Sequence, residues 1–100
     1  MSKTVYFRAD ALDDAEQAQT WYETRKEGLG QRFALMVIQA TERIEQWPMA
    51  RAIIWKELRG YRIEGFPYIL YYRIRDDHIE VVALLHGARD DKAWKARLDK

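Results

Sequence analysis

The sequence predicts an α+β fold, a helical hairpin packed on a small, mainly antiparallel sheet. Three observations carry that prediction. Phe33, Val37, Ala40, Ile44 and Trp47 recur at steps of four, three, four and three, one apolar stripe down a long helix. "PYILYYRI" (Pro67 to Ile74) and "IEVVALLH" (Ile79 to His86) are dense in aromatic and branched residues and too short for helices. The polar "RDDH" (Arg75 to His78) between them reads as the turn of an antiparallel hairpin.

In chain order, "KTVYF" (Lys3 to Phe7) reads as a first strand. Asp10 is read as the N-cap of a helix, with Asp13 and Asp14 in its first turn where the dipole favours negative charge. Ala11, Ala15, Ala18 and Tyr22 follow helical spacing, and Leu12 and Trp21 widen the stripe. "EGLG" (Glu27 to Gly30) stops this helix by supplying a left-handed residue, and so short a link makes the two helices antiparallel. Pro48 ends the second helix.

"AIIWKELRGYRIEGF" (Ala52 to Phe66) reads as one strand with its loops around Gly60 and Gly65. The two following strands are apolar at nearly every position, which places them centrally with both faces covered. "DDKAWKARL" (Asp90 to Leu98) gives one or two helical turns, capped by Asp90 or Asp91, with Trp94 and Leu98 on one side. The order is therefore β-α-α-β-β-β with a short C-terminal helix, and residues 1–100 make a single domain.

Composition narrows the function. Just under half the chain is apolar and a third is charged, the balance of a globular protein. There is no cysteine, so neither disulfides nor thiolate chemistry operate. No segment has the length or apolarity of a signal peptide or membrane span, which points to the cytoplasm and to no membrane partner. Residues 1–50 carry six Lys/Arg against eight Asp/Glu, and residues 51–100 carry eleven against eight, a weak pointer toward a polyanion.

The residues do not compose a familiar catalytic set. The only serine is Ser2, near the terminus, which removes a serine nucleophile and triad. His78 and His86 lack metal-ligand spacing, and no Gly-rich loop stands between a strand and a helix. No metal or cofactor is expected. The acid pairs Asp13/Asp14, Asp76/Asp77 and Asp90/Asp91 are explained by capping and solvation. Lys56, Arg59, Arg62, Arg73 and Arg89 interleaved with Tyr61, Tyr68, Tyr71 and Tyr72 suit RNA. The same residues better suit a tyrosine core with arginines snorkelling to its rim. His86 and Asp90 read as a structural pair that fixes the turn after the last strand.

Four landmarks then carry a resemblance: "ADALDDAEQAQTWYE", "GLGQRFALMVIQATERIEQWP", "FPYILYYRI" and "VVALLHGARDDKAW". Together they span nearly the whole chain, and in this order they resemble the RelE/ParE superfamily of bacterial type II toxins. The resemblance implies a curved sheet and a cognate antitoxin that binds and silences the toxin, with a heterotetramer as the implied assembly. It also implies one of two targets. RelE-like members cut mRNA in the ribosomal A site, whereas ParE-like members poison DNA gyrase by binding it.

For the ribonuclease branch, the arginine implied at the start of the central strand falls on or next to Tyr68. A second falls on Arg89 or Ala88, and the C-terminal tyrosine or histidine falls on Trp94. Lys56, Arg59, Arg62 and Arg89 remain as phosphate contacts without a general acid or base. "LLHGARD" resembles the ParE branch. The expectation is a toxin that is not itself an enzyme and contacts its target or antitoxin through Arg62, Arg89, Trp94 and Lys95. The alternatives are a ribosome-dependent mRNA endonuclease using Arg59, Arg62 and Arg89, and a non-toxic protein-binding domain of the same fold.

Overall fold

The computed structural model describes residues 3–89 and 91–98. Among them the order is β1 (Thr4–Phe7), α1 (Ala9–Arg25), α2 (Leu29–Gln46), β2 (Ile53–Trp55), β3 (Leu58–Arg62), β4 (Tyr68–Ile74), β5 (His78–His86) and α3 (Asp91–Leu98). The strands form one mixed sheet in the order β1-β5-β4-β3-β2. The helical hairpin, the antiparallel β4–β5 pair and the α+β class stand as the sequence predicts. One strand more than expected is present, because Ala52–Phe66 folds into two. Lys56 adopts a left-handed φ of 52° and turns β2 back onto β3.

β1 alternates, with Val5 and Phe7 turned to the core and Thr4 and Tyr6 to solvent. It lies parallel to β5, from Thr4 opposite His78 to Phe7 opposite Val81. His78 is thus the first residue of a strand rather than part of the turn.

The start of α1 corrects the expected cap. Arg8 holds the N-cap position and no side chain caps it, while Asp10 sits inside the first turn and pairs with Arg8 at 3.1 Å. The dipole still explains an acid there. The helix stops at Arg25 through an extended Lys26, not through glycine. The left-handed residue, Gly28 at φ 86°, comes later and opens α2.

Gly30 is needed for a different reason: a Cβ there would stand 2.5 Å from the Gln19 carbonyl oxygen of α1. The two helices touch at that point. Phe33, Val37, Ala40 and Ile44 are buried along α2, but Trp47 is the C-cap and is 61 % exposed. Leu12 and Trp21 are also half exposed, so the buried face of α1 is narrower than its apolar stripe.

The hairpin covers one face of the sheet, where Leu70, Tyr72, Ile79, Val81 and Leu84 meet Phe33 and Ile44. Fully burying each such side chain contributes about 1.5–3 kcal/mol. Tyr72 remains satisfied by donating its hydroxyl to the Pro48 carbonyl at 2.7 Å. The opposite face carries a second apolar cluster, Leu58, Tyr71, Val82, Ala83 and Leu85, under Trp94 and Leu98 of α3.

A register shift between Tyr71 and Tyr72 places Val82 as the extra residue of β5. The bulge lets Val82 and Ala83 both face α3 while Val81 and Leu84 face the hairpin. β5 is therefore covered on both faces, as its composition predicts, whereas the second face of β4 is covered in part, at Tyr71 under Trp94.

Candidate functional site

The sheet is covered unevenly on its second side. α3 packs against β5, and beyond it the surface of β2, β3 and β4 opens as a cleft of about 520 Å³. Its floor is apolar, with Ile54, Ile69, Tyr71 and Trp94, and Gly60 keeps it low. A Cβ at Gly60 would come within 3.2 Å of Ile69. Arg62 from β3 and Lys95 from α3 stand among the lining residues.

Trp94 is held rather than free: its indole stacks on Tyr71 at 5.0 Å and meets the edge of Trp55 at 6.2 Å. Lys95 pairs with Asp91 at 2.9 Å and lies 5.4 Å from the Trp55 ring. Burial pushes the Tyr71 hydroxyl above the ordinary tyrosine range. The fold thus brings Arg62, Trp94 and Lys95 of the expected contact set to one cleft.

Arg89, the fourth, lies elsewhere. It lines a groove of about 530 Å³ between α1 and the ends of β4 and β5, with Gln17, Trp21, Tyr22, Tyr68 and His86. Burial raises the Tyr68 hydroxyl above its usual range, and the nearby Arg89 charge opposes that shift. His86 is the last residue of β5. The Ala88 N–H donates to its Nδ1 at 3.0 Å, and its ring meets the edge of Tyr68 at 5.5 Å. The Arg89 N–H closes the same turn on the His86 carbonyl. Asp90, paired with His86 in the sequence reading, lies outside the described residues.

The two surfaces are joined by a network that sequence reasoning missed. Asp14, read as a solvated first-turn acid, has only 9 % of its side chain exposed. It accepts two bonds from the Arg97 guanidinium and one from the Leu84 N–H, all at 2.9–3.0 Å. Those bonds hold the Arg97 guanidinium further above its ordinary pKa. Arg97 also donates to the Val82 carbonyl, and Arg8 donates to the Arg97 carbonyl. The partners are 83 residues apart, so no local pattern signals them.

Arg59 points away from Arg62. It donates to the Arg51 carbonyl and lies opposite Tyr72, whose ring belongs to the hairpin side of the sheet. Arg59, Arg62 and Arg89 do not converge. Among the described residues no group of three or more His, Asp or Glu gathers in a metal-binding cluster, and no helix is long and apolar enough to cross a membrane.

Comparison with known proteins decides the family. The description "ParE toxin of type II toxin-antitoxin system, parDE" matches residues 5–91. The chain belongs to the ParE toxin family.

It is 30 % identical over 99 residues to Toxin ParE2 of Mycobacterium tuberculosis, in both the CDC 1551 / Oshkosh and H37Rv strains. That match covers 98 % of this chain and 94 % of the relative. The fold is shared with the chromosomal ParDE toxin–antitoxin system from P. aeruginosa, at a TM-score of 0.72 and 12 % identity. The match covers 85 % of this chain and 96 % of that one. The YoeB dimer from Staphylococcus aureus shares it too, at a TM-score of 0.60 and 14 % identity over 86 % and 98 % of the two chains.

The protein is thus a type II toxin–antitoxin toxin of the ParE family, as the sequence resemblance implies. In this ParE-family toxin, two of the positions that the resemblance implies for the ribonuclease branch, Tyr68 and Trp94, hold other chemistry, and the third falls on Arg89 or Ala88. Tyr68 packs edge-on against Tyr22 and Phe33. Ala88 serves as a backbone donor in the turn. Trp94 is a stacked indole, which exchanges no proton near neutral pH.

Proposed function

We infer that this ParE-family toxin acts on DNA gyrase by protein contact, without cutting a substrate itself, and that a cognate antitoxin neutralises it in the cytoplasm. The chemistry of the α3 cleft carries that reading. Arg62 and Lys95 stand beside an apolar floor anchored by Trp94, the combination of aromatic anchor and neighbouring cation that protein interfaces favour. Cutting RNA requires a group that takes a proton and one that gives it. The cleft offers Tyr71, buried and raised in pKa, and Asp91, ion-paired to Lys95. Neither is poised for that work.

The test is a supercoiling assay with purified gyrase. The toxin is expected to inhibit supercoiling and to leave gyrase-linked DNA breaks, and Trp94→Ala is expected to weaken both. Unchanged supercoiling and no breaks at high toxin excess would overturn the gyrase assignment. Cleavage of A-site mRNA in a translating-ribosome assay run beside it would replace it with the endonuclease reading.

A further inference from the structure

The groove beside Arg89 lies apart from the α3 cleft, and it combines the features of a small-molecule site. Its volume of about 530 Å³ is in the range of ligand pockets, which join an apolar lining to a few convergent polar groups. Ala18, Tyr22 and Leu84 line it as buried residues, and Trp21 stands among them. Tyr22 meets the Trp21 ring edge-on at 5.1 Å and the Arg25 guanidinium stands over it at 4.4 Å. Even so, Trp21 is 49 % exposed, an indole fixed in place with half its surface still open.

The polar groups of the groove are biased toward donors. Arg89 is exposed. His86 accepts the Ala88 N–H at Nδ1, so the hydrogen of its neutral ring sits on Nε2 and makes that atom a donor. The Gln17 amide and the Tyr68 hydroxyl add two more. Asp14 is the only carboxylate among the described lining residues, and it already accepts three bonds from Arg97 and the Leu84 N–H. A cationic ligand therefore meets no unpaired carboxylate there.

The backbone decides which anion fits. Phosphate favours a concavity of successive main-chain N–H groups. In the turn after β5 those groups are spent: the Gly87 N–H donates to the Pro67 carbonyl at 2.7 Å, and the Ala88 and Arg89 N–H groups both donate to His86. A carboxylate needs only the two-pronged side chain of one arginine. The open indole supplies the other half of the recognition, since aromatic rings pack on one another edge-on or offset.

We propose that this groove binds a small aromatic carboxylate, its ring against Trp21 and its carboxylate on the Arg89 guanidinium beside the His86 Nε2–H. Asp14 lines the same groove while it holds Arg97 of α3, so the occupant packs on the residue that ties α1 to α3. A ligand bound only by the folded chain raises its melting temperature. The site uses none of the α3 cleft and holds whether or not gyrase is the target.

The experiment titrates the whole chain with indole-3-acetate. Binding is read by calorimetry and by shifts of the Ala88 and Arg89 amides and the Trp21 indole N–H. Saturation in the millimolar range is expected, with the shifts gathered on the groove and a higher melting temperature. Indole-3-acetamide keeps the ring without the charge and acetate keeps the charge without the ring; each is expected to bind about tenfold more weakly or worse. Arg89→Gln should bring the acid down to the level of the amide, and Trp21→Ala should weaken both about fivefold.

Failure of indole-3-acetate to saturate, or equal binding of acid and amide, would overturn carboxylate recognition. Inorganic phosphate that competes with the acid at equal or higher affinity would replace it with a general anion site. Shifts centred on Trp94 and Lys95, with binding lost in Arg62→Gln and kept in Arg89→Gln, would move the ligand to the α3 cleft and remove the groove. Gyrase takes no part in this titration, so its outcome and that of the supercoiling assay are separate results.

Discussion

At the scale of single residues, Asp14 ties three elements together. Its carboxylate satisfies a backbone donor of β5 and the Arg97 guanidinium of α3 from a position on α1. Asp14→Ala leaves a largely buried cation and an amide without acceptors, so a loss of about 2–4 kcal/mol in urea unfolding is expected. Asp14→Asn keeps one acceptor and should lose roughly half of that.

Glu23 gives a pH signature. Its carboxylate accepts the N–H groups of Gly28 and Gly30, both at 2.9 Å, which lowers its pKa below the ordinary 4.5. A depressed carboxylate contributes stability above its unfolded pKa and loses it as pH falls through the folded one. Thermal melts from neutral to acid pH should therefore fall more steeply for the native chain than for Glu23→Gln below pH about 4.5.

At the scale of elements, the helical hairpin depends on the contact at Gly30. Gly30→Ala forces α1 and α2 apart against a backbone oxygen, and a cost of about 2–3 kcal/mol is expected in denaturant titration. The stripe on α2 and the density of the central strands were legible because burial imposes a period on local sequence. What was not legible had non-local or unusual local causes. The β2–β3 turn passes through Lys56 at positive φ, where glycine or asparagine is the ordinary signal, so Ala52–Phe66 read as one strand. Asp10 resembles a cap, but Arg8 and Arg97 compete for its carboxylate from outside the helix. Trp47 continues the stripe in sequence while the helix ends beneath it. The cleft was half legible: its residue types stood out, but only the fold separates Arg62, Trp94 and Lys95 from Arg89.

At the scale of the whole molecule, that separation makes a prediction about coupling. Arg62 and Trp94 share one cleft, whereas Arg89 lines a groove on the far side of the sheet. In the proposed inhibition of gyrase, Arg62→Glu alone is expected to cost about tenfold, the equivalent of ~1.4 kcal/mol. Arg62→Glu with Trp94→Ala should cost less than the sum of the two, because neighbours couple. Arg62→Glu with Arg89→Glu should be additive, whatever Arg89 costs alone.

The parallel pairing of β1 with β5 has a different kind of consequence, in time rather than in space. Among the described residues β1 finds its only sheet neighbour in β5, with His78 standing 74 positions after Thr4. During synthesis the two helices can associate early through local contacts, but closing so long a loop must wait until β5 emerges. A ribosome making this toxin therefore carries a helical hairpin without its sheet until β5 appears, and β1 has no strand to pair with before then.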